Sequence, residues 1–189
     1  MEGNRCFWVP LNDPLYVDYH DKEWGIPVYD DHKLFEMLIL EGMQAGLSWI
    51  TILRKREAYR AAFDDFDIDL IMAYGQDKVE ELMGNPGIVR NRLKIQAVIQ
   101  NAKAFREVQK EHGSFSKFLW QYTGNAPMRI MRTGEKDVPV RTELSDRISA
   151  DLKKRGFKFV GSTIICAYMH AVGLINGHTD DCICYTIWK

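Results

Sequence analysis

Long apolar runs are missing from this sequence, and no stretch approaches the roughly 20 residues of a membrane-spanning helix. No basic segment followed by an apolar one stands near the start, so no export signal is indicated. Internal repeats, low-complexity runs and Gly- or Pro-rich linkers are absent as well. These absences predict a cytosolic or nuclear protein that does not associate with a membrane.

The sequence contains few cysteines and has almost no net charge. The 189 residues include four cysteines, Cys6, Cys166, Cys182 and Cys184. Without an export signal their thiols are expected to stay reduced, so burial or metal binding is a better expectation than a disulfide framework. The formal net charge is −1, which excludes a strong overall attraction to nucleic acid or to anionic membranes.

Apolar and aromatic residues are abundant, at 46% and 12% of the chain, which excludes a disordered protein. The length fits a single domain over residues 1–189, with room for two helical lobes. The charges are unevenly placed: residues 1–31 carry seven acids against two bases, residues 84–95 three bases and no acid, and residues 141–158 six bases against three acids. Two local basic faces can therefore meet phosphates.

Helical periodicity runs through the chain after an aromatic, irregular arm of about thirty residues. No convincing alternating strand appears, residues 123–141 form an irregular loop, and the predicted fold class is all-α. In chain order, the first predicted helices are one that Asp31 caps and that runs through Glu41, one from Ser48 to about Phe63, one from Asp67 through Tyr74, and one from a capping box at Asp77 to near Gly84. They are followed by a helix that passes through Phe105 and is closed by Gly113, a helix that Ser114 opens, a helix from about Leu144 to Arg155 that Gly156 stops, and a helix from Ser162 to about Ile175.

The segment 41–49 joins two of these helices and places a carboxylate among apolar residues. Glu41 follows Leu34 by seven residues and Leu38 by three, which puts it on the apolar face of its helix. A buried carboxylate is costly unless its charge or its acceptor oxygens are needed. The alternative is that Glu41 lies at the helix edge and extends to solvent.

Two distant segments contain residues of the types that bind metals. Cys6 and His20 lie near the start, and His178 and Cys182 lie near the end with suitable ligand spacing. Thiolate and imidazole ligands favour zinc, and four protein ligands would leave no position for a reactive water. Alternatively, Cys6 and His20 simply pack in the interior, and Cys184 competes with Cys182 as a ligand.

A glycine turn at 84–87 precedes the next helix. Such a turn presents backbone N–H groups and the positive end of the helix to a phosphate, and Arg90, Arg92 and Lys94 add charge beside Gly87. This predicts contact with DNA that is independent of sequence. A packing joint between two helices with a solvated basic face is the competing interpretation.

Aromatic residues are also concentrated around the Glu41 segment: Trp8, Tyr16, Tyr19, Trp24 and Trp49. Together they can line a pocket for a flat, electron-poor ring, and a cationic ring would gain most from the aromatic faces and the carboxylate. Individually, each aromatic residue is more often part of a core.

The chain resembles the bacterial DNA-3-methyladenine glycosylase I family, within the helix-hairpin-helix glycosylase superfamily, over nearly its whole length. The matching segments are 5–8 (RCFW), 13–16 (DPLY), 19–27 (YHDKEWGIP), 34–38 (LFEML), 41–49 (EGMQAGLSW), 87–92 (GIVRNR), 153–161 (KKRGFKFVG) and 178–182 (HTDDC). Residues 123–141 match poorly.

This resemblance implies a role for several residues. It implies that one structural zinc ion is bound by Cys6, His20, His178 and Cys182. Glu41 and Tyr19 are implied to hydrogen-bond the excised base, with Trp49 stacking on it and Tyr16, Trp8 and Trp24 forming the surrounding wall. Leu47 is similar in position to an apolar plug that fills the gap in the duplex.

The implied activity is hydrolysis of the N-glycosidic bond of 3-methyladenine in alkylated double-stranded DNA, by a cytoplasmic enzyme that we expect to be a monomer. A flipped base would be held in the aromatic pocket, with Glu41 as the catalytic candidate. Two alternatives belong to other classes: a non-catalytic, zinc-containing module that binds DNA or a modified base, and a zinc hydrolase with an open coordination position.

Overall fold

The computed structural model describes residues 3–130 and 139–185. Helices account for most of this part of the chain, and two short 3-10 turns, Asp64–Phe66 and Gln121–Thr123, extend helical segments. The helices are α1 (Pro14–Lys22), α2 (Asp31–Gln44), α3 (Trp49–Arg54), α4 (Arg56–Ala62), α5 (Ile68–Met72), α6 (Gln76–Gly84), α7 (Arg92–His112), α8 (Phe115–Trp120), α9 (Glu143–Lys154) and α10 (Ser162–Ala171).

Helix α2 lies at the centre of the fold. It packs against α3, α7, α8 and α10, and residues 34–43 of this helix are all buried. The apolar residues of these helices form one large continuous core, while Cys6, Val9, Cys182 and Cys184 form a separate small cluster where the two ends of the chain meet. The central position of α2 explains why Glu41, in the C-terminal half of this helix, is buried.

Several predicted helix ends are confirmed. Asp67 and Ser114 accept hydrogen bonds from the first backbone amides of α5 and α8. Gly113 ends α7 in the left-handed region, with φ +83°, and Gly156 does the same after α9, with φ +93°. A helix leaves its first backbone amides and last carbonyl groups without internal partners. Short polar side chains satisfy the amides and a terminal glycine helps the carbonyl groups find partners, so both signals can be recognised within a few residues of the sequence.

Other predicted ends are wrong. Asp30, not Asp31, caps α2, while the Asp31 carboxylate accepts hydrogen bonds from the amides of Phe115 and Ser116 at the start of α8. The predicted capping box at Asp77 is absent because α6 begins at Gln76, directly after Gly75. A tertiary contact redirected Asp31, and sequence spacing alone does not reveal such contacts.

Two long helical predictions also change. The helix predicted from Ser48 to Phe63 is interrupted at Lys55, which separates α3 from α4. The last helix ends at Ala171, not Ile175, because the chain turns at Gly173, where an added Cβ would lie 2.3 Å from the Ile26 backbone. The close approach of two backbones therefore ends the helix.

Two two-residue strands occur in the described residues, β1 (Met128–Arg129) and β2 (Ile175–Asn176). They pair in parallel, Met128 opposite Ile175 and Arg129 opposite Asn176. Strands this short leave no alternating pattern in the sequence, and the all-α prediction did not include them. Part of the predicted loop at 123–141, namely 131–138, lies outside the described residues. Among the helices that the structure describes, none has the length and apolar character needed to cross a membrane.

Candidate functional site

A cavity of about 430 Å³ opens beside the C-terminal turn of α2. The six residues that the sequence predicted for a base pocket all line it, since α1, α2, α3 and the loops around α1 bring them together. The residues that line the cavity are Phe7, Trp8, Tyr16, Tyr19, Trp24, Glu41, Gln44, Trp49, Ala167 and His170. The volume and the aromatic lining fit a flat heterocyclic ring.

Among the described residues that line the cavity, Glu41 is the one carboxylate, and only 4% of the residue is exposed. It therefore does not extend to solvent. Its Oε2 has no hydrogen-bond partner among residues 3–130 and 139–185. Burial raises the pKa of the carboxyl group to about 8, so the free protein holds Glu41 largely protonated near neutral pH.

Trp49 presents a second buried polar atom without a partner in the described part of the chain, the indole Nε1. Its ring centroid lies 5.4 Å from that of Tyr19 at an interplanar angle of 46°. Buried donors and acceptors are normally paired, and leaving one unpaired costs on the order of 1 to 3 kcal/mol. Two residues of the cavity wall, Glu41 and Trp49, thus each keep a buried polar atom without a partner in the described part of the chain.

The tyrosines of the cavity lie close to the carboxyl group of Glu41. Burial raises the pKa of Tyr19 well above its ordinary value, and the charge of Glu41 is the second cause. The pKa of Tyr16 is raised by the same two causes in the same order. Both hydroxyl groups therefore stay protonated and can donate hydrogen bonds.

Trp8 and Trp24 lie next to each other in the cavity wall. Their ring centroids are 4.8 Å apart in an edge-to-face arrangement, and Trp8 also lies 5.4 Å from Tyr16. Trp24 stacks on His170 with 6.0 Å between ring centroids. Sequence reasoning missed His170, together with Phe7, Gln44 and Ala167, because a histidine in the apolar helix α10 shows no pattern that distinguishes a cavity residue from a core residue.

Four side chains that could hold a metal ion meet next to Trp8 and Trp24. Cys6, His20, His178 and Cys182 are 0–4% exposed, and their ligand atoms all lie within 4.8 Å of one another. His178 Nδ1 is 3.5 Å from the sulfur atoms of both Cys6 and Cys182, and His20 Nε2 is 3.5 Å from Cys182 Sγ. A tetrahedral zinc ion places its sulfur and nitrogen ligands roughly 3.5 Å apart, so the four side chains fit this metal.

The second nitrogen of each imidazole is also bound. His20 Nδ1 lies 2.8 Å from Asp21 Oδ1, and Asp21 in turn pairs with Arg5. His178 Nε2 lies 3.1 Å from the carbonyl oxygen of Trp24. These contacts orient both rings toward the sulfur atoms, as the outer contacts of metal-binding histidines usually do. The pKa of Cys182 is lowered, first because the Cys6 thiol donates to it and then because of the two histidines, which favours a thiolate.

Cys184 lies on the other side of His20. Its sulfur is 4.0 Å from His20 Nδ1 and 3.9 Å from Asp21 Oδ1, and its backbone amide donates to Cys182 Sγ at 3.4 Å. His20 Nδ1 contacts Asp21, whereas its Nε2 faces the other three side chains. Cys182 is therefore the better placed of the two competing cysteines.

The hairpin between α6 and α7 differs from its sequence prediction in two respects. The amides of Gly87 and Val89 already donate to Asn85 Oδ1 and to the Tyr59 hydroxyl oxygen. Arg90 is exposed, but Arg92 pairs with Glu80 at 2.6 Å, which lowers the pKa of Glu80 to about 2.

Lys94 was expected to add charge to the same basic face, and this expectation is wrong. Lys94 is only 7% exposed, so its side chain is not available to a phosphate at the surface. Its ammonium group instead donates to the carbonyl oxygens of Met43 and Ala45. The helical spacing that placed Lys94 next to the two arginines did not reveal that α2 ends against it.

Leu47 follows the C-terminus of α2 in a tight turn. It is 41% exposed, and its amide donates to the Gln44 carbonyl oxygen at 2.6 Å. Gly46 takes φ +80° in this turn, a value that strains any residue with a side chain. The turn therefore holds a partly exposed apolar side chain between Gln44 and Trp49, two residues that line the cavity.

The sequence model described as methyladenine glycosylase matches residues 8–185. A DNA-3-methyladenine glycosylase 1 from Escherichia coli is 49% identical over 181 residues, which is 96% of each chain. The fold is similar to a crystal structure of 3-methyladenine DNA glycosylase I, with a TM-score of 0.93, 49% identity and coverage of 96% of this chain and 99% of the other. It is also similar to a Staphylococcus aureus 3-methyladenine DNA glycosylase I, studied for 3-methyladenine recognition, with a TM-score of 0.90, 39% identity and coverage of 92% of both chains.

Proposed function

This chain belongs to the methyladenine glycosylase family, and we propose that its aromatic cavity holds the methylated base while the glycosidic bond is hydrolysed. The chain is a DNA-3-methyladenine glycosylase, a DNA repair enzyme. In this reaction the bond between the purine and C1′ of the sugar breaks, water supplies the new C1′ hydroxyl group, and an abasic site remains. A purine methylated at N3 is cationic, so it departs with the bonding electrons as a neutral base.

The observation that carries the proposal is the buried, unpaired carboxyl oxygen of Glu41, a residue of the cavity wall. A cationic ring would stabilise the carboxylate that burial otherwise disfavours, since the opposite charge offsets the cost of desolvation. An unmodified adenine lacks this charge and cannot stabilise the Glu41 carboxylate in this way. The cavity therefore favours the methylated purine over adenine. In this proposal Glu41 acts first in recognition, and orientation of the attacking water is its second role.

The other cavity residues support the ring itself. Trp49 stacks on the flipped base, Tyr19 donates to its edge, and Tyr16, Trp8 and Trp24 enclose it. Each well-placed aromatic face contributes about 0.5 to 2 kcal/mol toward a cationic ring. Binding is thereby directed to the charged purine in its extruded state.

Double-stranded DNA would be held by the hairpin and the Leu47 turn. The exposed Arg90 side chain approaches phosphates directly, and Arg92 exchanges Glu80 for a phosphate oxygen. Gly87 lets the hairpin pack closely against α4, because an added Cβ there would lie 3.0 Å from the Ala58 Cβ and from Asn85 Oδ1. Leu47 would fill the space that the flipped nucleotide leaves in the stack.

One structural zinc ion is our proposal for the group of Cys6, His20, His178 and Cys182. With four protein ligands the metal would supply a cross-link between the two ends of the chain and no reactive water. This arrangement favours the glycosylase over a zinc hydrolase, which needs an open coordination position. Metal analysis of the purified protein is expected to find about one zinc per chain.

The test is incubation of the purified protein with methylated duplex DNA, followed by chromatographic identification of the released bases. Wild-type protein is expected to release free 3-methyladenine. Glu41→Gln is expected to lower single-turnover excision on the order of a hundredfold, because it removes the charge that faces the cationic base, while DNA affinity changes little.

Glu36→Gln is the matched control. Glu36 is a second buried carboxylate of α2, but it pairs with Lys33 and Arg60 and does not line the cavity. Excision by this variant should stay near the wild-type rate. Equal losses of DNA affinity and excision in Glu41→Gln would refute the proposed role, and no base release by folded protein would favour a non-catalytic binding module.

A further inference from the structure

The turn that presents Leu47 has a defined backbone conformation. Ala45 has φ −45° and ψ 115°, Gly46 has φ +80°, and the Leu47 amide donates to the Gln44 carbonyl oxygen. These values describe a type II β-turn with glycine at its third position. Type I and type II turns differ by a flip of the central peptide, here the one between Ala45 and Gly46, so the direction of the Ala45 carbonyl group distinguishes them.

Lys94 holds that carbonyl group from a different helix. Its Nζ donates to the Ala45 oxygen at 2.7 Å and to the Met43 oxygen at 2.8 Å. Both acceptors belong to the C-terminal end of α2, where backbone carbonyl groups lack helical partners and a cation is favoured. Burial also lowers the pKa of Lys94, so the ammonium group is kept at this position against a desolvation cost.

Lys94 stands directly after the hairpin. It is the third residue of α7, and its own backbone amide donates to Asn91, the cap of that helix. The Lys55 ammonium group meanwhile donates to the carbonyl oxygens of Pro86 and Gly87. Lysines therefore connect the hairpin to α3 on one side and to the Leu47 turn on the other.

We propose that Lys94 is a positioning residue that selects the type II form of the turn and thereby fixes Leu47 relative to the hairpin. This inference rests on the proposed role of Leu47 as the plug. Phosphate contact at the hairpin and insertion of Leu47 become parts of one rigid unit, because both are held by the first turn of α7. A flipped central peptide would turn the Ala45 oxygen away from Lys94 and change the direction from which Leu47 leaves the turn.

The test separates base binding from plug insertion. Free 3-methyladenine binding reports the cavity alone, whereas 2-aminopurine beside an abasic-site analogue in duplex DNA reports insertion of an apolar side chain into the stack. Lys94→Met keeps the length of the side chain and removes the donors. It should retain free-base affinity within about twofold and lose about tenfold or more in the fluorescence response and in excision, as expected for the loss of hydrogen bonds from a charged group.

A second variant changes the same turn and leaves Lys94 in place. Gly46→Ala has no steric conflict, since nothing lies within 4 Å of an added Cβ, but φ +80° strains the alanine. It should reproduce the insertion defect and add little to it when combined with Lys94→Met. Gly124→Ala is its matched control, because Gly124 has φ +69° and equally open space away from the cavity and the hairpin; insertion and excision should not change.

Leu47→Gly separates this inference from the proposed function. If Leu47→Gly excises normally, the plug role itself fails. If Leu47→Gly loses insertion while Lys94→Met and Gly46→Ala keep it, the plug stands and the inference about Lys94 is overturned. Parallel losses of free-base binding and insertion in Lys94→Met would also overturn it, since they indicate general damage to the fold.

Discussion

The aromatic cavity and the cysteine-histidine cluster share a wall, yet their buried polar atoms are partnered in opposite ways. In the cluster, each imidazole has one nitrogen facing the sulfur atoms and the other bound to Asp21 or to the Trp24 carbonyl oxygen. In the cavity, Glu41 Oε2 and Trp49 Nε1 are buried and have no partner in the described part of the chain. Histidines whose second nitrogen is already hydrogen-bonded are held in one orientation, which suits a ligand that stays bound. Unpaired polar atoms suit a ligand that enters and leaves.

Removing a cluster ligand is the strongest way to break this comparison. Cys182→Ser is expected to lower the free energy of unfolding by more than about 5 kcal/mol, because a structural metal and the contacts between the chain ends are lost together. Chemical denaturation with metal analysis of the same sample measures this. Cys166→Ser is the control, a buried cysteine of α10 outside the cluster. A zinc-free Cys182→Ser protein as stable as wild type would contradict the prediction.

The cavity should show its unpaired carboxyl group in the pH dependence of stability. Burial raises the Glu41 pKa from 4.5 to about 8, so between these values the folded protein keeps a proton that the unfolded chain has lost. Stability is therefore expected to fall as pH rises from 4.5 to 8, by on the order of 4 kcal/mol from this residue.

Glu41→Gln cannot titrate and should lack this part of the slope. Denaturation of both proteins at pH 5, 6.5 and 8 isolates the contribution of Glu41, since every other titrating group is shared. If stability changed with pH equally in both proteins, the Glu41 carboxyl group would already be charged in the free protein. The difference between the cavity and the cluster in how their polar groups are stabilised would then disappear.

The outer contacts of the cluster offer a smaller test. Asp21→Asn removes the charge that orients His20 through its Nδ1 and is expected to weaken metal affinity about 10- to 100-fold while the fold persists. Competition with a chelator measures the affinity. Asp18→Asn, an exposed acid of the same helix that pairs with Lys22, should leave it unchanged. Equal affinities in the two variants would show that the orientation of His20 does not depend on Asp21.

Local chemistry explains what the sequence could predict. Asp67, Ser114 and Gly113 act within one turn of their own helix, so their spacing was sufficient. The buried position of Glu41 followed from its interval to Leu34 and Leu38, because the central helix is enclosed over a long run of residues.

What escaped prediction depends on contacts between distant segments. Asp31 binds the start of α8, and Lys94 turns inward because the end of α2 offers it two carbonyl oxygens. His170 lines the cavity only because α10 crosses behind Trp24. For the cluster, residue types suggested that Cys6 and His20 could join His178 and Cys182 in one zinc site, but only the second pair had a suitable ligand spacing, and the family resemblance strengthened the complete set.

The contact between Cys6 and His178 spans 172 positions of the chain. Trp8 rests against the ring of His20 at 5.3 Å, and Trp24 against that of His178 at 4.7 Å, so two aromatic residues of the cavity are supported by imidazoles that lie far apart in the sequence. During synthesis on the ribosome, the support of Trp24 can form only after residue 178 has left the exit tunnel. A chain that stops before residue 178 therefore lacks one of the two imidazoles that hold the cavity wall in place.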